Sequence, residues 1–353
     1  MKSLVLLGAG QSHIDLLSTL AANQPSGVQL TLIAPYPLHV YVGMVASFVA
    51  GQHPLEDCLI DLASMLQKAG VRWLTGSPAL LDVQSATLRL TDGSTYGFDW
   101  LSIDTGALQD RQQIEALMPG AREHGLFVRP LEAFCALWPR VTELATSRAL
   151  RIAVLGHDLL SIELALAIRQ RLPGASVTLV AGPAGLTCAP APGAEKRIVK
   201  ILRQYRITVL ADLTVGIEAQ QVRLASGARL ACDVPIVANA GSAPVWLASS
   251  ALALDVHGRV ALDAYGRSVS HPNVFAASDV ASRAKPALTE NLMALLAGRP
   301  VRRHQSAPGH LSFVAYGDRR ALLSWRGFSM QGRWVGWLKD WLEKRYIQRY
   351  RRD

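Results

Sequence analysis

Apolar and polar residues follow one another along the chain in blocks that predict a repeated strand, turn and helix. Residues 3–9 form a short apolar run that ends at the Gly8-Ala9-Gly10 turn. Apolar residues then recur at helical spacing over 12–20, and a second apolar run covers 28–33. A strand, a glycine turn, a helix and a second strand form a right-handed crossover, so this pattern predicts two neighbouring strands of a parallel sheet.

The same outline returns in the second half of the chain. Residues 151–156 repeat the strand and glycine turn, 159–168 repeat the helix, and 175–180 repeat the next strand. Residues 71–106 and 207–241 also share a series of short strands that ends in glycine. The repeat predicts an α/β protein with two Rossmann-like dinucleotide-binding units, the second inserted into the first, plus a C-terminal amphipathic helix module.

The repeat also sets the expected domain boundaries. A chain of 353 residues is long enough for two or three domains. The first unit is expected at 1–110 and 242–301, the second unit at 111–241, and a basic C-terminal module at 302–353.

Aromatic and cationic residues alternate at helical spacing after Gly332. The cationic side is expected to carry Arg333, Lys339, Lys344, Arg349, Arg351 and Arg352. Indole rings suit the headgroup layer of a membrane and cations suit anionic lipid. The pattern therefore predicts peripheral membrane contact through Trp334, Trp337, Trp341 and Tyr346. The alternative is that the helix packs its tryptophans on its own domain or on the second subunit of a homodimer.

Composition narrows the class of protein. Half of the residues are apolar and 18% are charged, which is typical of a densely packed globular chain. The net charge is +9, but residues 302–353 hold twelve Arg or Lys against four acids, so the body is nearly neutral. No nucleic-acid partner is expected, because the excess charge lies in one tail.

No apolar run reaches the ~18–20 residues of a membrane span. A cytoplasmic protein, peripheral at the inner face of the cell membrane, is expected.

The cysteines and histidines do not indicate a metal or disulfide site. The four cysteines are Cys58, Cys135, Cys188 and Cys232, and no two of them are close enough for a C-x-x-C pair. No histidine has the spacing to cysteine or carboxylate residues that is typical of metal ligands. Disulfide chemistry and a resident metal are therefore both disfavoured.

The first glycine turn is the first candidate binding site. Gly8 and Gly10 allow a backbone to approach a pyrophosphate at the start of a helix. His13 stands where a third glycine is usual, and no acidic residue closes the second strand before Pro35. His13 is expected either near the phosphates or packed against its own helix.

Several later motifs carry a resemblance to a known family. Residues 271–282 read HPNVFAASDVAS, residues 102–106 read SIDTG, and residues 128–134 read VRPLEAF. With the first turn and the 238–241 segment, they resemble the pyridine nucleotide-disulfide oxidoreductase superfamily. The chain is similar to its type II NADH dehydrogenase-like branch, and in particular to bacterial oxidoreductase domains that are sometimes fused to selenide, water dikinase.

The resemblance implies a function and a set of binding residues. It implies an FAD-dependent oxidoreductase that takes electrons from NAD(P)H or another small donor and passes them to a quinone or another small acceptor at a membrane surface. The residues implied for FAD are Gly8, Gly10, Gln11, Ser12, His13, Pro35, Ala79, Thr105, Gly106 and Asp279. Gly156 and Glu163 are implied for NAD(P)H, and Glu163 has an ordinary ion-pair role as its alternative. No residue is assigned as a general acid or base.

Three features depart from the family pattern. Asp158 and Ser161 replace glycines in the second turn, Ser278 replaces the glycine before Asp279, and the segment after Asp279 is short. A carboxylate in a phosphate-binding turn repels the phosphate. These departures support an alternative function, in which the chain has lost nucleotide turnover and acts as a membrane-associated binding or scaffold protein.

Overall fold

A computed structural model describes residues 2–106, 108–186, 193–239, 244–282, 288–303, 311–326 and 328–351. Its strands are β1 (Lys2–Leu7), β2 (Val28–Ala34), β3 (Leu38–Val40), β4 (Leu59–Asp61), β5 (Arg72–Thr75), β6 (Pro78–Asp82), β7 (Thr87–Leu90), β8 (Thr95–Gly97), β9 (Trp100–Ile103), β10 (Leu126–Phe127), β11 (Arg151–Leu155), β12 (Ser176–Val180), β13 (Thr208–Leu210), β14 (Thr214–Glu218), β15 (Gln221–Leu224), β16 (Arg229–Ala231), β17 (Val234–Val237), β18 (Val274–Ala276), β19 (Ser312–Tyr316), β20 (Arg320–Trp325) and β21 (Phe328–Gly332). Its helices are α1 (Gln11–Ala22), α2 (Val42–Val49), α3 (Leu62–Ala69), α4 (Arg111–Leu117), α5 (Ala121–His124), α6 (Leu131–Ser147), α7 (Leu159–Arg171), α8 (Ala194–Gln204), α9 (Val245–Ala248), α10 (Leu288–Leu296) and α11 (Arg333–Arg351).

Unit 1 comprises Met1–His39, Asp61–Leu108 and Gly241–Ser306. Its main sheet has the order β18-β9-β1-β2-β5, and every neighbouring pair is parallel. The central strand β1 is apolar and buried over its last four residues, because side chains on both faces are covered there, as in other parallel sheets. Strands β6, β7 and β8 form a separate antiparallel sheet.

Unit 2 comprises Val40–Ile60, Gln109–Ala240 and Ala307–Asp353. Its main sheet has the order β10-β17-β11-β12-β13 and is also parallel throughout. Two antiparallel sheets accompany it, β14-β15-β16 and β19-β20-β21. Two parallel sheets, each with a glycine turn and a helix after its central strand, confirm the predicted α/β class with Rossmann-like units.

The two units differ from the expected domain boundaries in two segments. Residues 40–60 belong to unit 2, because α2 packs on α6 and α7 and places Val45 and Val49 in the core of that unit. Residues 307–353 also belong to unit 2, because β19 packs against α7, and α11 packs in turn against β20. Gly336 allows this contact, since a Cβ at that position would clash with the carbonyl oxygen of Arg319.

Candidate functional site

Four loop segments of unit 1 meet at the carboxyl edge of its parallel sheet. Gly8 follows β1, Pro35 follows β2, Asp104 follows β9, and Asp279 lies shortly after β18. Open α/β sheets bind their ligands at this edge. Ala79, in contrast, is an exposed residue of β6 in the separate antiparallel sheet.

The two glycines of the first turn make room for the segment that follows β9. Gly8 has a φ of +90°, and a Cβ there would lie 2.5 Å from the Asp104 carbonyl oxygen. A Cβ on Gly10 would overlap the Asp104 carboxylate. The Gly10 amide also donates to the Asp104 carbonyl oxygen over 2.9 Å. These glycines therefore permit close packing against Asp104.

The Asp104 carboxylate occupies the amino end of α1. Its Oδ2 atom accepts hydrogen bonds from the amides of Ser12 at 2.9 Å and His13 at 3.3 Å. The side chain is fully buried, and its Oδ1 atom has no hydrogen-bond partner among the described residues. A helix amino terminus stabilises negative charge, so Asp104 fills the position that a bound anion would take.

Two imidazoles lie near Asp104. The His13 ring is buried, with Nδ1 lying 2.6 Å from the Gly8 carbonyl oxygen and Nε2 lying 2.8 Å from Ser102 Oγ. Burial lowers the pKa of His13, although Asp104 acts in the opposite direction. Burial likewise lowers the pKa of His39 to about 4. The geometry favours the packing alternative for His13, because Gly8 and Ser102 engage both of its ring nitrogens.

The carboxyl edge of unit 1 has the frame of a dinucleotide site but does not fit a pyrophosphate in the usual position. The amides of Ser12 and His13, which would bind a phosphate, already donate to Asp104. A second anion there would lie against a buried carboxylate and would be repelled. Other parts of the edge remain open. A Cβ on Gly106 would meet nothing within 4 Å, Gln11 is exposed, and Thr105 is half-buried.

Ser278 keeps the backbone shape that a glycine would favour. Its φ is +56°, in the left-handed region that non-glycine residues rarely adopt. Asp279 follows it in a short 3-10 turn and is exposed. The loop after β18 therefore retains its turn despite the change from the family glycine.

In the second glycine turn, a carboxylate likewise occupies the amino end of the helix that follows. Asp158 caps α7, and its Oδ1 atom accepts from the Ser161 amide at 2.8 Å. Ser161 Oγ lies 2.5 Å from the same oxygen and 3.1 Å from the Ala238 carbonyl oxygen. A Cβ on Gly156 would overlap Ser161 Oγ. The two residues that depart from the family pattern thus form one internal helix cap. Gly241, at the end of the matching 238–241 motif, lies outside the described residues.

Glu163 has its partners in the C-terminal part of unit 2. Its Oε1 atom accepts from the Ala315 amide at 2.7 Å and lies 4.0 Å from Lys339 Nζ. Burial raises the pKa of Glu163, while the charge of Lys339 lowers it. The ion-pair alternative for Glu163 is therefore the one that the geometry supports.

Glu163, Lys339 and Glu343 form a buried charge cluster that the sequence analysis did not identify. Lys339 Nζ donates to Glu343 Oε1 at 2.6 Å and to the Gly43 carbonyl oxygen at 2.9 Å. Burial raises the pKa of Glu343 to about 7, against the effect of Lys339. Burial disfavours the charge on Lys339, but Glu163 and Glu343 outweigh it and raise that pKa. The cluster connects α11 to α2 and α7.

The buried face of α11 is different from the predicted one. Its buried residues follow mostly a four-residue spacing: Val335, Lys339, Glu343, Ile347 and Tyr350. Lys339, which was expected on the cationic surface, can be buried because the cluster satisfies its charge. The four-residue spacing is visible in the sequence, but the tryptophans and tyrosines of the same segment form a more conspicuous pattern.

The tryptophans of α11 face solvent. Trp334 is 52% exposed, Trp337 is 67% exposed and Trp341 is 42% exposed. Exposed apolar residues of the β20–β21 hairpin add to them, and the resulting set, here named the aromatic face, comprises Trp325, Phe328, Met330, Trp334, Trp337 and Trp341. Within the described parts of the chain, no helix is long and apolar enough to cross a membrane.

Tyr346 does not belong to the aromatic face. It is half-buried and stacks on Tyr41, with 4.6 Å between the ring centroids. It therefore helps to hold α11 on unit 2, whereas the three tryptophans do not contribute to that core.

Together, two glycine turns at the carboxyl edges of two parallel sheets define the class of two-dinucleotide-fold oxidoreductases. A family model for pyridine nucleotide-disulphide oxidoreductases matches residues 2–296. The chain therefore belongs to the pyridine nucleotide-disulphide oxidoreductase family. Members of this family bind FAD and use NAD(P)H, as the motif resemblance implied.

Individual relatives agree with this assignment. An NADH dehydrogenase-like protein of Mycobacterium tuberculosis is 26% identical over 316 residues, which cover 84% of this chain and 74% of that protein. The sulfide:quinone oxidoreductase of Aquifex aeolicus has a similar fold, with a TM-score of 0.79 at 16% identity, over 99% of this chain and 92% of that one. The water-forming NADH oxidase of Lactobacillus brevis has a TM-score of 0.73 at 18% identity, over 92% and 75% of the two chains.

Proposed function

We propose that the chain is an NADH dehydrogenase-like oxidoreductase that works at a membrane surface. In this proposal it passes electrons from NAD(P)H or another small donor to a quinone or another small acceptor. The observation that carries the proposal is the aromatic face, whose three tryptophans are exposed on α11, a helix anchored to α7 by the buried charge cluster. α7 is the helix that follows the second glycine turn.

The chemistry of the aromatic face favours a lipid surface. Indole rings partition to the level of lipid headgroups, and three exposed tryptophans on one helix suit such a layer. Arg326 lies over the Trp325 ring at 5.1 Å and Arg345 lies over the Trp341 ring at 5.1 Å, so cations flank the apolar rings. Cations beside exposed tryptophans suit an anionic membrane. A homodimer that pairs two aromatic faces is the competing arrangement.

A second candidate function rests on the two internal carboxylate caps. Asp104 and Asp158 each fill the amino end of the helix where a nucleotide phosphate binds in such folds. They favour a membrane-associated binding or scaffold protein that keeps the fold without nucleotide turnover. The two candidates share the aromatic face and differ in whether flavin is bound and reduced.

The visible absorption spectrum of the purified protein, before and after anaerobic NADH, separates the two candidates. The oxidoreductase proposal predicts a flavin band near ~450 nm that bleaches on addition of NADH and recovers with a soluble quinone. A flavin band that NADH does not bleach would call for another donor. A protein that shows no band, even after incubation with FAD, would support the second candidate.

Membrane contact is tested with a triple substitution of the helix tryptophans. Trp334→Ser, Trp337→Ser and Trp341→Ser together are expected to lower affinity for lipid vesicles about 100-fold, since each half-exposed ring contributes about 1 kcal/mol on transfer from water. The measurement is vesicle flotation over a range of lipid concentrations.

A matched control changes three equally exposed apolar residues elsewhere in unit 2. Leu137, Leu144 and Leu213 are 51%, 50% and 53% exposed, and their joint replacement by serine is expected to leave flotation unchanged. Equal flotation of the tryptophan variant and the native chain would contradict the membrane role. Sedimentation of both proteins without lipid would then show whether the tryptophans pair two copies.

A further inference from the structure

Unit 2 contains a cavity whose walls are unusually rich in cations. It has a volume of about 270 Å³ and lies between the end of α2, the turn of the β19–β20 hairpin and α11. Its charged lining residues are His53, Arg319, Arg320, Arg333, Lys339, Asp340, Glu343 and Lys344. Ser47, Gln52 and Trp337 also line the cavity.

Most of these charges are already paired inside the protein. Lys339 pairs with Glu343 at 2.6 Å. Asp340 pairs with Lys344 at 3.0 Å through one oxygen and with His53 at 2.6 Å through the other. Arg319, Arg320 and Arg333 are different, because they form no ion pair with any of the described residues. The cavity therefore presents three uncompensated guanidinium groups.

The fold holds two of these arginines in place. The hairpin turn that carries Arg319 and Arg320 packs against α11 at Gly336, where a Cβ would overlap the Arg319 backbone. The same three arginines line an adjoining open depression of about 480 Å³, where Asp318 is the one acidic residue among the described lining residues. The backbone that carries Arg319 and Arg320 is thus held by a packed turn, and all three arginines are exposed.

The charge and size of the cavity suit a small anionic headgroup. Guanidinium groups bind phosphate and carboxylate through paired N–H donors. The volume lies just below the ~300–1,000 Å³ of ordinary ligand pockets, so it suits a headgroup better than a whole cofactor. Trp337 belongs both to the cavity wall and to the aromatic face. An anion bound here would therefore lie at the depth of the lipid phosphates when the tryptophans enter a membrane.

We propose that this cavity binds the phosphate group of an anionic phospholipid, through Arg319, Arg320 and Arg333. The inference rests on the proposed membrane placement and adds a specific lipid class to it. It assigns the cavity a selectivity for phosphatidylglycerol-type headgroups over the zwitterionic phosphatidylcholine headgroup, whose positive choline group would be repelled.

The first test uses a lipid that is soluble as a monomer. Dihexanoyl phosphatidylglycerol is titrated into the full chain by isothermal titration calorimetry, below its micelle concentration. Saturable binding is expected, and the Arg319→Gln, Arg320→Gln double variant is expected to bind about 30-fold more weakly. The matched control is Arg203→Gln with Arg206→Gln, which removes the same charge from exposed positions and is expected to bind like the native chain.

Three results would overturn the proposal. The first is equal binding by the Arg319→Gln, Arg320→Gln variant and the native chain, or no saturable binding by either. The second is equally tight binding of dihexanoyl phosphatidylcholine. The third is equally tight binding of inorganic phosphate, which would make the cavity a site for free phosphate. Unchanged circular dichroism and melting of the variant show that it is folded.

Vesicle flotation separates a failure of this inference from a failure of the proposed function. If the native chain binds phosphatidylglycerol and phosphatidylcholine vesicles equally well and the soluble lipid does not bind, membrane contact stands and the cavity assignment fails. If the soluble lipid binds but no vesicle does, the cavity assignment stands and the membrane role fails.

Discussion

Replacing Lys339 by alanine is expected to lower the free energy of unfolding of unit 2 by about 3–5 kcal/mol. The substitution leaves Glu163 and Glu343 buried without the ammonium group that lies 4.0 Å from one carboxylate and 2.6 Å from the other. It also leaves the Gly43 carbonyl oxygen without its donor. Urea denaturation measures the loss, and hydrogen exchange of the α11 amides shows whether this helix detaches first.

Two variants serve as controls for the buried charge cluster. Lys344→Ala removes an exposed lysine of the same helix that pairs with Asp340 at 3.0 Å, and its expected cost is at most about 1 kcal/mol. A triple variant, Lys339→Met with Glu343→Leu and Glu163→Gln, removes all three charges and keeps an acceptor for the Ala315 amide, so it is expected to recover much of the stability, short of the lost hydrogen bond to Gly43. A Lys339→Ala variant that is no less stable than Lys344→Ala would show that the cluster does not hold α11.

Replacing Asp104 by alanine is expected to raise the affinity for FAD by at least about tenfold. Two anions 4 Å apart repel by about 1 kcal/mol in water and by about 4 kcal/mol at the effective dielectric of a protein surface. Removing the carboxylate also frees the amides of Ser12 and His13 for a pyrophosphate. Titration of the flavin-free protein with FAD, followed by flavin fluorescence, measures the change.

The stability of the flavin-free protein provides an independent readout for Asp104. Loss of a side chain that accepts from the first helical turn costs about 0.5–2 kcal/mol, so Asp104→Ala is expected to melt at a lower temperature while binding FAD more tightly. Asp104→Asn keeps the shape of the side chain without its charge. Its melting temperature and its affinity for FAD are expected to lie between those of the native chain and of Asp104→Ala. Weaker FAD binding by both variants would show instead that the carboxylate takes part in flavin binding.

The buried charge cluster gives the two sides of α11 different compositions. On the buried side, Lys339 pairs with Glu343 of the same helix, lies near Glu163 of α7 and donates to the backbone of α2, whereas the exposed side carries the tryptophans. A helix that buried its tryptophans in its own core would have none left for a membrane or a partner. Using charged residues for the internal contact therefore leaves the aromatic rings free.

Much of the architecture could be predicted from local sequence patterns. The glycine turn at Gly8, the apolar run that became β2 and the matching turn at Gly156 predicted two parallel sheets, because strand, turn and helix periodicities are local properties. The order of the motifs correctly indicated the family, and the aromatic spacing after Gly332 correctly predicted the helix Arg333–Arg351.

The chemistry inside these elements depended on contacts between distant residues. Asp104 reaches the amide of Ser12 across 92 residues, and Lys339 reaches the carbonyl of Gly43 across 296 residues. Burial of a charge is favourable only where other elements supply its partners, so no local pattern shows that Lys339 turns inward or that Asp104 fills a phosphate position. The periodicity of the chain was enough for the two sheets and the terminal helix, while tertiary packing decided which face of that helix is buried and which anion caps α1.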